Sequence, residues 1–174
     1  MSPFIQNISA EAIKTGTHYP CGDNAMLIQI TDPGSTSFFS TDGFPVPKHQ
    51  FKDTYQFQFL DCDRADHPVY GGFAITDDDA FNIVKALRHA LDNDMNVVVH
   101  CHAGICRSGA VAEVASLMGF TLVEGTRIPN VLVKKKMMQV LGISYDENAE
   151  LKARYDQYEK DRLEGKIYRF EGKT

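Results

Sequence analysis

Cys101 is followed six positions later by Arg107, and between them lie His102, Ala103, Gly104, Ile105 and Cys106. Six backbone units after a cysteine can curl into a ring of N–H groups around an oxyanion. A small-residue helical pattern begins at Ser108, so the helix dipole adds to those amides and the concavity prefers a dianionic phosphate. Arg107 can fold back to give two parallel hydrogen bonds to phosphate oxygens. Gly104 falls where a side chain would obstruct the curl or demand an unfavourable backbone angle. The same positive surroundings favour Cys101 as the thiolate, the nucleophilic form of the side chain. The Cys-x5-Arg spacing is weak evidence alone. It becomes specific with His100 before the cysteine, Gly104 three after it, Ser108 behind the arginine, a strand ahead and a helix following.

The elements that must position this loop can be read on either side of it. Val97–Val99 is too short for a helix and too apolar for an edge, so it is expected to be a central, doubly covered strand. Ala110, Val111, Val114, Ala115, Leu117 and Met118 describe a buried helix that Gly119 closes. Upstream, Thr76 is expected to cap a helix with Asp77, Asp78 and Asp79 in its first turn. That explains the three carboxylates structurally. Phe81, Ile83, Val84, Leu87, Ala90 and Leu91 continue the helix to Asn93 and Asp94.

The alternation from Thr54 to Phe59 predicts a half-buried strand that runs into an acidic cluster, Asp61, Asp63 and Asp66, with a Pro- and Gly-containing loop over 67–75. Ala25–Ile30 reads as another strand, terminated by Asp32-Pro33-Gly34. Residues 4–16 show a helical pattern through Ile5, Ile8, Ala12 and Ile13, with Ser9 as cap and Gly16 as stop. The 31–50 stretch, with Phe38, Phe39 and Phe44, is either a surface loop tucked on the core or the rim of a substrate pocket. Pro129 and Asn130 precede a helix over 131–141, on which Lys134–Lys136 cannot share one face. Most of these lysines are expected in solvent, with one in reach of a phosphate. A charged amphipathic helix with Leu151, Tyr155, Tyr158 and Leu163 is expected over 146–163, then a polar tail from 165 to 174.

The chain has 174 residues and 43% apolar content, enough for one domain, 1–174, with a sizeable core. Strands alternating with helices give an α/β class. The net charge of −5 provides no basic field for nucleic acid or anionic membrane. No apolar run approaches the ~20 residues of a membrane span. The start of the chain lacks a basic region leading into an apolar one, so no signal peptide is expected. Cys21, Cys62, Cys101 and Cys106 show no disulfide-scaffold pattern, and a reducing cytoplasm is the default location.

The segment His100-Cys101, five residues, Arg107-Ser108 resembles the active-site signature of cysteine-dependent protein tyrosine and dual-specificity phosphatases. The likeness runs from about Tyr55 to Leu141, and the length resembles the compact dual-specificity branch of bacteria and viruses. It implies a small, mostly parallel central sheet flanked by helices, with the phosphate loop at the C-terminal end of a central strand. The resemblance also implies two-step phosphomonoester hydrolysis without metal or cofactor. Cys101 would form a cysteinyl-phosphate while Arg107 and the amides of His102, Ala103, Gly104, Ile105 and Cys106 hold the phosphate oxygens. Ser108 would stabilise the departing thiolate, and His100 would brace the loop. An aspartate would protonate the leaving oxygen and then activate water. Asp61 fits that position best and Asp63 second, although the interval to Cys101 carries an insertion around 64–74.

The implied substrate is a phosphorylated protein, at tyrosine, serine or threonine. The rival readings are an RNA 5′-phosphatase, a small-molecule phosphatase, a non-catalytic phosphate binder and rhodanese-type sulfur transfer. The pairing of Cys101 with Arg107 opposes the last two. His102 and Cys106 depart from common forms of the loop. Together with His100 and Cys101 they suggest a metal, but the ligands stand too close for an ordinary zinc site and no metal is expected. His102 either contacts thiolate or substrate or points outward, and Cys106 is expected to be a small filler. Cys62 is expected to be a buried, inert thiol rather than a redox partner of Cys101.

Overall fold

The structure, a computed structural model, describes residues 1–34 and 43–166. The chain divides into two compact units at Ile143 and Ser144. The first unit is built on a five-stranded sheet of β1 (Phe4–Ser9), β2 (Ala25–Thr31), β3 (Asp53–Gln58), β4 (Asn96–Cys101) and β5 (Thr121–Leu122). The spatial order is β3-β2-β4-β1-β5, and every pairing is parallel. The sheet is therefore wholly, not mostly, parallel.

That order determines where the helices lie. The connection β1→β2, through α1 (Ala10–Thr15), moves one way along the sheet. The connections β3→β4, through α2 (Asp77–Asp92), and β4→β5, through α3 (Arg107–Met118), move the other way. Right-handed crossovers running in opposite directions place α1 on one face and α2 and α3 on the other. Packing agrees, since Ile13 of α1 clusters with Leu27 and Val98, with Phe51 against them. Next to Val98 in the alternation, Val97 and Val99 turn to the opposite face and are equally buried. With β2 and β1 on either side, β4 is the doubly covered central strand that its sequence predicts. Burial of each valine contributes roughly 1.5–3 kcal/mol.

The helix ends follow local chemistry. Thr76 and Asp79 form a reciprocal capping box at the start of α2. Asn130 caps α4 (Val131–Leu141) by accepting from the Val133 N–H at 3.0 Å. Lys134 pairs with Glu113 at 2.9 Å and Lys136 with Asp77 at 2.6 Å, so both lysines are engaged in ion pairs. The N-terminal expectation needs correction. Residues 4–9 are a strand, not the first half of a helix, and only 10–15 are helical. Ser9 does cap α1 and Gly16 does end it in the left-handed region, at φ 73°. Phe44 is half-buried, whereas Phe38, Phe39 and most of the expected tail lie outside the described residues.

The second unit contains α5 (Glu147–Leu163), capped by Asp146 and laced by Lys152–Asp156, Arg154–Glu150 and Arg162–Glu159 ion pairs. Its apolar positions, Leu151, Tyr155, Tyr158 and Leu163, are exposed. No helix among the described residues is long and apolar enough to cross a membrane.

Candidate active site

Parallel strands deliver their C-terminal ends to one edge of the sheet, where ligands of open α/β folds bind. Here that edge gathers Asp32 just beyond β2, Asp61 just beyond β3 and Cys101 at the end of β4. The 101–107 loop is held from outside by its carbonyls. Ala10 N donates to His102 O at 3.1 Å, Ile128 N to Ile105 O at 3.2 Å and Asn130 N to Cys106 O at 3.0 Å. Asn7 Nδ2 donates to Gly104 O at 2.7 Å, and Asn7 Oδ1 accepts from Arg127 Nη1 at 3.2 Å. Among the described residues, no backbone N–H from 102 to 107 donates to another backbone group outside the regular elements. Outward carbonyls leave those amides to converge on an anion.

Gly104 is required twice over. Its φ of 74° lies in the left-handed region, and a Cβ there would sit 2.2 Å from Ile8 C and 2.4 Å from Ser9 N. Cys101 is buried, with Sγ 3.2 Å from Ser108 Oγ. His100 is wholly buried, with Nδ1 3.3 Å from the Cys101 carbonyl. Since that carbonyl can only accept, Nδ1 carries the proton. Burial above all pushes the His100 pKa down to about 4, so the ring is neutral near pH 7.

Arg107 is only 4% exposed. Its Nη1 donates to Asp32 Oδ1 and to the Phe59 carbonyl, both at 2.7 Å, while Nε is buried with no partner among the described residues. One corner of the guanidinium is thus anchored, and the Nε/Nη2 edge remains for a two-oxygen contact. Asp32 was legible in the sequence only as part of a strand terminator. Its contact spans 75 positions, and no local pattern points to it.

The two candidate acids differ in their surroundings. Asp61 Oδ1 accepts from Asn130 Nδ2 at 2.7 Å, and its carboxylate lies near the Cys106 thiol. Burial first, then the charge of Asp61, raise the Cys106 pKa to about 12. Asp61 and Asp63 are both exposed, and with Cys62, His67, Tyr70, His102 and Arg107 they line a cleft of about 540 Å³.

His67 and Tyr70, from the 64–74 stretch, form part of the wall of that cleft. His67 Nδ1 accepts from Tyr70 N at 3.0 Å, and the two rings stack with centroids 5.0 Å apart. Cys62 is buried, and its thiol turns to the Arg64 carbonyl at 3.1 Å. Among the described residues no group of three or more His, Cys, Asp or Glu side chains is arranged to hold a metal.

A thiol, an anchored arginine and a loop whose carbonyls are bonded from outside meet at one edge of the parallel sheet. Residues 51–120 match the family model Tc-R-P, described as a polymorphic toxin system DSP-PTPase phosphatase. The matched span runs from the approach to β3 through α2, β4, the loop and α3. The match covers 70 of the 174 residues and makes that span similar to a phosphatase domain of the dual-specificity type. No curated protein matches the sequence.

Proposed function

We propose that the protein hydrolyses phosphomonoesters through a cysteinyl-phosphate, with a phosphorylated protein as substrate. The observation that carries this reading is the unpartnered Nε of the buried Arg107, whose Nη1 is fixed by Asp32 and Phe59 O. A buried donor without a partner costs about 1–3 kcal/mol, and an incoming phosphate supplies the acceptor.

In the first step the Cys101 thiolate attacks phosphorus. The bond to the leaving oxygen breaks, and Asp61 delivers its proton there. The 102–107 amides and the Nε/Nη2 edge of Arg107 hold the non-bridging oxygens. In the second step Asp61, now ionised, takes a proton from water. That water displaces the thiolate from phosphorus, and Ser108 Oγ, 3.2 Å from Sγ, donates to the departing sulfur. Asn130 favours Asp61 over Asp63 because its amide holds the Asp61 carboxylate at 2.7 Å. No step uses a metal or cofactor. A cytoplasmic location and a single phosphatase domain belong to the same reading.

Hydrolysis of para-nitrophenyl phosphate by wild type, Cys101→Ser and Arg107→Ala tests it. Wild type should turn over the ester, and each variant should lose at least about 10³-fold in kcat/KM. Turnover by Cys101→Ser at the wild-type rate would overturn the proposal.

A further inference from the structure

The carbonyls that the fold bonds from outside the 101–107 loop also set the direction of its amides. A trans peptide is planar, so its C=O and N–H point opposite ways, and no peptide among the described residues is cis. Holding the carbonyls of His102, Gly104, Ile105 and Cys106 outward therefore turns the N–H groups of Ala103, Ile105, Cys106 and Arg107 inward. Three of those carbonyls take backbone donors, from Ala10, Ile128 and Asn130. Gly104 O takes a side chain, Asn7 Nδ2 at 2.7 Å. Glycine tolerates either orientation of the peptide plane that follows it, so the Gly104–Ile105 plane needs an external hold.

A carboxamide has a donor end and an acceptor end of nearly equal shape, and its neighbours choose between them. Asn7 pairs with Val99 in register, so its side chain leaves the sheet on the α3 side. There both hydrogens of Nδ2 go to carbonyls, Gly104 O at 2.7 Å and Thr126 O at 3.2 Å, and Oδ1 accepts from Arg127 Nη1 at 3.2 Å. Carbonyls only accept and a guanidinium only donates, so the reverse orientation would set like against like at all three contacts. Arg127 is itself fixed. Its Nη1 also donates to Val123 O at 3.1 Å, and its Nε lies 3.9 Å from Glu113 Oε1. Its stem crosses α3 at Gly109, where a Cβ would stand 3.2 Å from Arg127 Cγ. Lys134 holds the other Glu113 oxygen at 2.9 Å.

We propose that Asn7 is a positioning residue for the phosphate chemistry. With its amide oriented by Arg127, it holds the Gly104–Ile105 peptide so that the Ile105 N–H faces the phosphate before the anion arrives. The inference rests on the cysteinyl-phosphate reading and adds to it a residue that acts through the loop without touching the substrate.

The test compares Asn7→Asp with Asn7→Ala, each checked for folding by circular dichroism. Aspartate has nearly the shape of asparagine and keeps Arg127 as a partner, but it sets an acceptor against Gly104 O. A merely structural role makes Asn7→Asp the milder change. The positioning role makes it the more damaging one, because the repelled carbonyl turns inward and one oxyanion donor is lost. Asn7→Asp should lose about 10²-fold or more in kcat/KM toward para-nitrophenyl phosphate, and Asn7→Ala about tenfold. If Asn7→Asp is at least as active as Asn7→Ala, the proposal is overturned. Should either variant fail to fold, Arg127→Lys and Arg127→Met take their place, since lysine keeps a donor for Asn7 Oδ1 and methionine does not. Lysine should stay within about threefold of wild type and methionine should lose about tenfold, and equal losses overturn the proposal. If wild type hydrolyses no ester, the phosphatase reading fails, and inorganic phosphate decides the role of Asn7 separately. A downfield shift of the Ile105 amide resonance on adding phosphate to wild type, absent in Asn7→Asp or Arg127→Met, supports it. The same response in wild type and variant, or none in either, refutes it.

Discussion

Replacing Asp32 probes the least obvious support of the site. Among the described residues its carboxylate is the only charged partner of Arg107, at 2.7 Å, and the pair is largely buried, with side-chain exposures of 5% and 26%. Removing one partner of a buried pair costs about 3–5 kcal/mol. The Phe59 carbonyl stays bonded to the same Nη1, and the carboxylate is partly open to water. The cost of Asp32→Ala should therefore fall to about 2–3 kcal/mol, or a melting temperature lower by roughly 5–10 °C. Asp32→Asn keeps an acceptor oxygen and loses only the charge, so about 1 kcal/mol and roughly 2–4 °C are expected. Activity should follow the aim of the guanidinium. Asp32→Ala should lose roughly 100-fold in kcat/KM toward para-nitrophenyl phosphate, since a misplacement of about 1 Å costs that much, and Asp32→Asn should stay within about tenfold. Calorimetry with steady-state kinetics measures both effects. Wild-type stability and turnover in Asp32→Ala would refute the reasoning that this carboxylate holds and aims Arg107.

Other expectations concern the loop and its acid. Asp61→Asn should lower kcat for a poor leaving group such as phenyl phosphate by about 10²–10³-fold, whereas Asp63→Asn should change it by less than about threefold. The reverse order, read from the two kcat values, would reassign the acid. Gly104→Ala should unfold or inactivate the protein, because the added Cβ meets Ile8 and Ser9 backbone at 2.2–2.5 Å. Circular dichroism and turnover distinguish these outcomes, and a stable, active variant would contradict the stated geometry. Thiol alkylation at pH 7.5 followed by peptide mapping should leave Cys106 unmodified, since a pKa of about 12 leaves a negligible thiolate fraction. His100 sets an acid limit. Its folded pKa of about 4 lies below the unfolded value of about 6.5, so the unfolded chain binds the proton first as pH falls. This contribution, up to about 3 kcal/mol, is complete above pH 6.5 and is lost as pH drops toward 4. Denaturant melts across that range should be less steep in pH for His100→Gln.

The sequence made some of these features plain and concealed others for physical reasons. The Val97–Val99 run, the Thr76 cap and the Pro129-Asn130 pair before the 131–141 helix are local signals, and each marks the element found. The strand Phe4–Ser9 was misread because Ile5 and Ile8 fall at helical spacing. Its strand state comes from pairing with β4 more than 90 residues away, which no local window contains. The two-residue β5 is too short to leave a pattern. Within the site, Cys101, Arg107, Gly104 and Ser108 are adjacent in sequence and announce their chemistry together. Asp32, Asn7 and Arg127 reach the loop only through the fold. Asn130 shows both kinds of information in one side chain. Its oxygen caps α4, at the helix start that the sequence places just after it, and its amide nitrogen holds Asp61, which only the tertiary structure reveals. Leu151, Tyr155, Tyr158 and Leu163 read as an apolar helix face, and their exposure shows that periodicity alone does not specify burial.

The central claim is that phosphate passes through Cys101. Acid quenching of wild type and Asp61→Asn during turnover of para-nitrophenyl phosphate, followed by peptide mass spectrometry, examines that covalent state directly. The account predicts one phosphate on the peptide carrying Cys101, absent in Cys101→Ser. It should persist longer in Asp61→Asn, where the base that activates water is missing. Turnover with phosphate on another residue, or the same labelling in Cys101→Ser, would contradict it.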